Sequence, residues 1–220
     1  MSIKKDYLPK HPNIPIYQDD EMFCINTDTM VLGEFIKIYK NDVVLDMGTN
    51  NGALLIYASL FNPKKLIGLE INKKALELAE KNLKENNISN FELINDDINT
   101  YRGEEVDVII CNPPYFKTKK EDLCLNKYKA LAKHETELTL EKLILSIRRN
   151  LKNYGTLYFL YLSSRLDEVL AELRKNCFRV KIIKFVFDEN KDYSNVVLIK
   201  AVKGGKYGMV VEKPIIISRR

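Results

Sequence analysis

From Val43 onward, apolar runs of strand length alternate with amphipathic stretches of helix length. A chain patterned this way buries each run between two layers, as in βαβ units of a mostly parallel sheet with helices on both faces. The expected class is therefore α/β. Strands are expected at 43–47, 66–70, 91–95, 106–110, 154–161, 178–187 and 195–202, with helices at 53–61, 73–86, 138–151 and 166–175. The second helix repeats Ala75, Leu76, Leu78, Ala79 and Leu83 along one face, and Asn86-Asn87 supplies its stop. No helix-length segment separates the last two strands, so an antiparallel hairpin at the sheet edge is expected, turning through 188–192.

At 220 residues, 45% apolar and 30% charged, the chain fits one soluble domain with a full core. It divides into a leading segment of 1–40, a core of 41–202 and a basic tail of 203–220. Neither a signal-peptide-like stretch nor a bilayer-length apolar run is present, so a cytoplasmic location is expected. Cys24, Cys111, Cys124 and Cys177 are scattered, and His11 and His134 do not sit at ligand spacing from them. Neither a disulfide framework nor a zinc or other metal site is expected.

Val43-Val44-Leu45-Asp46-Met47-Gly48-Thr49-Asn50-Asn51-Gly52-Ala53 reads as a buried strand turning through glycines into a helix. In open α/β sheets a nucleotide-like ligand sits there, at the carboxyl ends of the central strands. The dinucleotide fingerprint is missing, since only Gly48 and Gly52 are present. Glu70, at the tip of the next strand, is placed to accept from two ribose hydroxyls, a role common to several nucleotide cofactors. Asp46 discriminates among them, because it repels a pyrophosphate and attracts the ammonium of S-adenosylmethionine. Asp96-Asp97, after the third strand, is placed to meet an adenine amino group.

The fourth strand runs into Asn112-Pro113-Pro114-Tyr115. Pro113 fixes its own φ and lacks an N–H, and Pro114 restricts Pro113, so the chain leaves the strand in a stiff corner. The Asn112 side-chain carbonyl and a proline main-chain carbonyl can converge on one amino group, while the Tyr115 ring offers a flat face to a planar base. Taken alone, such a corner is an ordinary turn. Its position after a central strand of this pattern points instead to chemistry on an amine attached to a π-system.

Asp46-x-Gly48-x-x-x-Gly52, Glu70, Asp97-Ile98 and Asn112-Pro113-Pro114-Tyr115 follow the order and spacing of class I S-adenosylmethionine-dependent methyltransferases. More narrowly, the chain resembles the tRNA(Val) adenine-37 N6-methyltransferases. That likeness rests on Gln18, Thr27-Asp28-Thr29-Met30-Val31-Leu32, Ala132-Lys133-His134-Glu135 and Asn153-Tyr154-Gly155. One departure is Asn50, where the family's loop usually has a third glycine; asparagine tolerates left-handed φ, so the loop can still form. The resemblance implies a Rossmann-like sheet of about seven strands and S-adenosyl-L-methionine as cofactor, held by Asp46, Gly48, Asn50, Gly52, Glu70, Asp97 and Asn112. It also implies methyl transfer to adenine N6 in tRNA, with Asn112, Pro113 and Tyr115 as catalytic residues. The leading segment would cover the cofactor, with Asp28 as the N-cap of a helix.

The net charge of +5 is unevenly spread. Lys117, Lys119, Lys120 and Lys133 follow the corner, and Lys203 and Lys206 open the tail. These, with Tyr115 and Phe116, are the expected contacts to an anticodon stem-loop. A monomer is expected. Alternatives with the same corner are ribosomal RNA guanine N2-methylation and protein glutamine N5-methylation; a methyltransferase-like module that binds RNA without catalysis is a lesser one. Glutamine enzymes usually carry an added N-terminal helical domain, and only about 40 residues precede the first expected core strand here.

Overall fold

The structure, a computed structural model, describes residues 3–20, 22–113 and 138–218. Its centre is a sheet that, among the described residues, has nine strands: β3 (Val43–Met47), β4 (Lys65–Glu70), β5 (Phe91–Asn95), β6 (Val106–Cys111), β7 (Leu151–Leu162), β8 (Phe178–Asp188), β9 (Ser194–Lys203), β10 (Val210–Val211) and β11 (Ile215–Ile217). The order is β10-β8-β9-β7-β6-β3-β4-β5, with β11 also pairing β8. Strands β5, β4, β3, β6 and β7 run parallel, and β9 enters antiparallel between β7 and β8. The α/β class, the parallel core and the antiparallel hairpin are thus as the sequence predicts. The tail, read as a basic extension, also carries β10 and β11, which lie parallel to β8 and extend the sheet beyond that hairpin.

The helices are α1 (Thr27–Phe35), α2 (Ala53–Ser59), α3 (Lys73–Glu85), α4 (Leu140–Asn150) and α5 (Leu166–Lys175). One core layer joins α4 and α5 to the sheet through Leu143, Ile147, Val169 and Leu173. The opposite layer packs Val31, Leu32, Leu55, Tyr57 and Leu83, from α1, α2 and α3, onto Val44, Ile110 and Tyr158. The ends of α3 follow from asparagine chemistry. Asn72 caps it by accepting from Lys74 and Ala75 at 3.0 and 3.4 Å, and Asn87 leaves it at φ 56°.

Two elements lie in the leading segment. Strands β1 (Ile3–Leu8) and β2 (His11–Asp19) form an antiparallel hairpin, which buries Leu8 and Ile16 in the layer shared with α1 and α2. Helix α1 follows, and its cap differs from expectation. Asn26 accepts from the Thr29 N–H at 3.0 Å, whereas Asp28 lies within the first turn. An N-cap side chain must reach the N–H two or three residues ahead, and here the helix begins early enough for Asn26 to do so. Among the described residues no helix is long and apolar enough to cross a membrane.

Candidate active site

Strand register brings the predicted site residues into one row. Met47 pairs with Leu69 on one side and Cys111 on the other. Gly48, Glu70 and Asn112 therefore follow at the same level on three adjacent parallel strands, and Glu70 in turn pairs with Asn95, just before Asp96-Asp97. This row lies at the carboxyl ends, where the order reverses across β3: β4 follows on one side and β6 on the other. Such a switch point opens a crevice between loops.

The loop after β3 is held from several sides. The N–H groups of Gly48 and Thr49 donate to the Leu69 carbonyl at 2.9 and 3.0 Å, and Gly52 donates to Thr49 at 2.9 Å. Gly48 and Gly52 have φ of 82° and 81°, a region side chains resist. A Cβ on Gly52 would press on Ala79 of α3 at 3.2 Å, so this end of the loop is packed tight. Over Gly48 a Cβ would meet only Ile98 Cδ1 at 4.0 Å, which leaves the crevice side open. Asn50 adopts φ 48°, and its side-chain amide donates to the Phe23 carbonyl at 2.5 Å. The left-handed turn forms without the third glycine, and the side chain that replaces it ties the loop to the leading segment.

Glu70 is spanned by the backbone: Oε2 accepts from Asn50 N at 3.0 Å and Oε1 from Asn72 N at 2.9 Å. Burial raises its pKa above the usual carboxylate range, and those N–H groups oppose the rise. Half-buried Asp97 accepts at Oδ1 from the backbone and side-chain N–H groups of Asn99, at 2.8 and 3.1 Å, which fixes the loop after β5. Helix α4 braces the same loop through Ser146, whose hydroxyl donates to the Ile98 carbonyl at 2.5 Å.

Asp46 is fully buried, and neither carboxylate oxygen has a hydrogen-bond partner among the described residues. Burial pushes its pKa up to about 7; the neighbouring Thr49 hydroxyl favours the charged form without reaching hydrogen-bond geometry, and the charge of Glu70 adds to the rise. The Thr49 Oγ1 and Asn51 Nδ2 atoms are likewise buried and unpartnered among the described residues. Orphaned polar atoms are rare in folded interiors, and a group of them beside an open crevice marks a ligand site. An unpaired acid beneath the loop, a glycine open to the crevice and a ribose-level carboxylate fit a ligand with an ammonium and a sugar, as S-adenosylmethionine has.

Asn112 follows β6 half-buried, and Pro113 is buried. Tyr115, Phe116, Lys117, Lys119, Lys120 and Lys133 lie outside the described residues. Lys203 and Lys206 are placed differently from expectation. Because β9 is antiparallel, the chain reaches Lys203 at the amino ends of the parallel strands, away from the crevice. There the Lys203 ammonium donates to the Arg148 and Leu151 carbonyls at 2.9 and 2.5 Å and pairs with Glu105 at 3.3 Å. Lys206 follows in the same loop, where its carbonyl accepts from Lys181 at 2.7 Å.

Sequence reasoning passed over Asn82. It is fully buried on α3, with Oδ1 accepting from Tyr17 N at 2.7 Å and Nδ2 donating to the carbonyls of Tyr17 and Asn51 at 3.0 and 2.9 Å. The signal was an amide in the apolar stripe of Ala75, Leu78, Ala79 and Leu83, where a polar side chain needs a buried partner.

Fold and strand-end constellation together define an S-adenosylmethionine-dependent methyltransferase of class I. The chain belongs to the methyltransferase domain family, whose sequence profile matches residues 38–211. A tRNA1(Val) (adenine(37)-N6)-methyltransferase of Bacteroides thetaiotaomicron is 28% identical over 145 residues, covering 64% of this chain and 60% of its own length. A putative protein N5-glutamine methyltransferase of Methanocaldococcus jannaschii is 31% identical over 170 residues, covering 74% of this chain and 85% of its own. Among solved structures, a predicted O-methyltransferase from Agrobacterium tumefaciens superposes with a TM-score of 0.64 at 17% identity, covering 86% of this chain and 87% of that one. The cofactor of this chain is accordingly S-adenosylmethionine.

Proposed function

We propose that this protein methylates the exocyclic N6 of an adenine in tRNA, at position 37 beside the anticodon, acting as a cytoplasmic monomer. The observation that carries the reading is the placement of Asn112-Pro113, one residue beyond the Met47–Cys111 pair and level with Gly48. The names of several relatives, including that of Pseudoalteromonas translucida at 28% identity, support the substrate.

When bound, S-adenosylmethionine supplies an electrophilic sulfonium methyl. The task left to the chain is to make a poor nucleophile attack it, since the adenine amino lone pair is delocalised into the ring. The Asn112 side-chain carbonyl and the Pro113 main-chain carbonyl accept the two N–H groups, favouring a pyramidal nitrogen whose lone pair points along the line of attack. This is positioning with preorganised dipoles, and no strong base is required, because the methylated amine is acidic and sheds its proton to solvent or a nearby acceptor. Tyr115 stacks on the base beside Phe116, and Lys117, Lys119, Lys120 and Lys133 hold phosphates. A loop base reaches such a corner at lower unstacking cost than one in a duplex.

The test is methyl transfer from radiolabelled S-adenosylmethionine to total RNA and protein from cells lacking this chain, followed by nucleoside and amino-acid analysis. N6-methyladenosine in tRNA is the expected product. Methylguanosine in ribosomal RNA would move the substrate while keeping the clamp. Labelled methylglutamine would establish the second reading, protein glutamine N5-methylation, which the Methanocaldococcus jannaschii relative favours.

A further inference from the structure

A groove of about 780 Å3 runs between α1 and the strands β8, β9 and β11. Four lysines line it. Lys10 is 3.6 Å from Glu34 and Lys184 is 3.1 Å from Glu212, so each of these has an ion-pair partner. Among the described residues Lys37 and Lys200 have none, and the groove's two acids are already engaged. The Lys200 ammonium lies over the ring of Tyr158, 5.7 Å from its centroid, and the Tyr158 hydroxyl donates to the Lys37 carbonyl at 2.8 Å. Tyr158 thus touches the Lys200 cation and anchors the backbone of Lys37.

Half-buried Lys200 and exposed Lys37 repel each other across the groove, and among the described residues neither has an ion-pair partner, so an arriving anion relieves that repulsion. Burial and then the charge of Lys37 draw the Lys200 ammonium below its usual range, with Glu212 opposing. The groove also lies close to the proposed chemistry. Lys200 pairs with Tyr158, which pairs with Ile110, two residues before Asn112. Two inter-strand spacings, roughly 10 Å, separate β9 from β6. At its other wall, α1 begins at Thr27, four residues beyond the Phe23 carbonyl that Asn50 of the cofactor loop holds.

We propose that Lys37 and Lys200 bind a backbone phosphate pair of the substrate RNA, steering the strand that delivers its base to Asn112. This rests on the RNA reading above and adds two lysines to those that follow the corner in sequence.

The test compares full-length wild type, the double variant Lys37→Gln/Lys200→Gln, the single variant Lys200→Arg and the remote control Lys84→Gln. Each is titrated with a tRNA transcript across a salt series, with S-adenosylmethionine affinity and methyl transfer measured in parallel. The double variant should lose about 1.4 to 1.8 from the slope of log affinity against log salt and bind roughly tenfold more weakly near physiological salt. Lys200→Arg and Lys84→Gln should keep the slope, and cofactor affinity should hold in all four proteins. A double variant with the wild-type slope overturns the proposal, as does loss of RNA and cofactor affinity together. Should wild type bind the transcript with this lysine dependence yet transfer no methyl to RNA, the phosphate contact stands while base delivery and the tRNA reading fall. Efficient tRNA methylation with an unaltered slope upholds the tRNA reading and removes the groove assignment.

Discussion

The buried amide of Asn82 donates to the carbonyl of Asn51 at 2.9 Å, so helix α3 holds the cofactor loop through a side chain that never meets the crevice. The same amide bonds both backbone groups of Tyr17, making it the junction of loop, helix and leading hairpin. Asn82→Ala would strand three backbone groups, two on half-buried Tyr17 and one on buried Asn51, at a cost of about 2–4 kcal/mol, or a fall in Tm of roughly 5–10 °C. The expected kinetic signature is a KM for S-adenosylmethionine that rises more than kcat falls. A lower Tm with an unchanged KM would assign Asn82 a purely structural role.

Asn112→Ala removes one of the two acceptors proposed for the amine. Turnover should fall by about 100-fold or more, the scale of losing a preorganised polar contact in the transition state. Calorimetric affinity for S-adenosylmethionine should stay within about threefold. A kcat close to wild type would remove the clamp from the mechanism.

Asp46 gives the protein a pH signature. Its folded pKa, about 7, lies above its ordinary value of 3.8, so folding favours the protonated form. The stability of the cofactor-free protein from this group is therefore greatest below the ordinary value and declines as pH rises through the folded one. Cofactor binding should respond in the opposite sense, because the ammonium needs the ionised carboxylate. Affinity is expected to strengthen from about pH 6 to 8, and Asp46→Asn should flatten that profile while raising the cofactor-free Tm near neutrality. A profile equally steep in the variant would place the titrating group elsewhere.

Asn50 makes the glycine loop's tolerance measurable. Asn50→Gly should leave Tm within a degree or two, since relief of the left-handed φ offsets loss of the bond to Phe23. Asn50→Ala keeps the strained φ without the bond and should cost about 1–2 kcal/mol. Thermal melts decide it, and equal Tm values for the two variants would mean that the backbone angle at 50 carries no strain.

The central strands that bear the site were legible because burial on both faces writes them as near-continuous apolar runs. Val43–Met47 begins and ends where that pattern places it, and Phe91–Asn95 keeps its expected bounds although it is a half-exposed edge strand. The leading hairpin was not legible. Pro9, Pro12 and Pro15 interrupt its pattern, and a strand exposed over much of its length carries little periodic signal. Strands β10 and β11 were hidden by brevity and by the lysines around them, so a segment that completes a sheet edge read as a charged tail. Lys203 shows the same limit from the other side: charge is visible in sequence, but the direction of β9, which decides where the charge points, is set by pairing between distant segments.

The bond between Tyr17 and Asn82 spans 65 residues and has a consequence for how the chain acquires its shape during synthesis. A two-stranded hairpin alone is marginal in water. Residues 3–19 emerge before α3, and although α1 and α2 already offer Leu8 and Ile16 a surface, Tyr17 finds its partner only when α3 has emerged and folded back. A segment made before α3 is thus fixed only after it. The cofactor loop, which shares Asn82 with it, should reach its binding-competent form only at that late step.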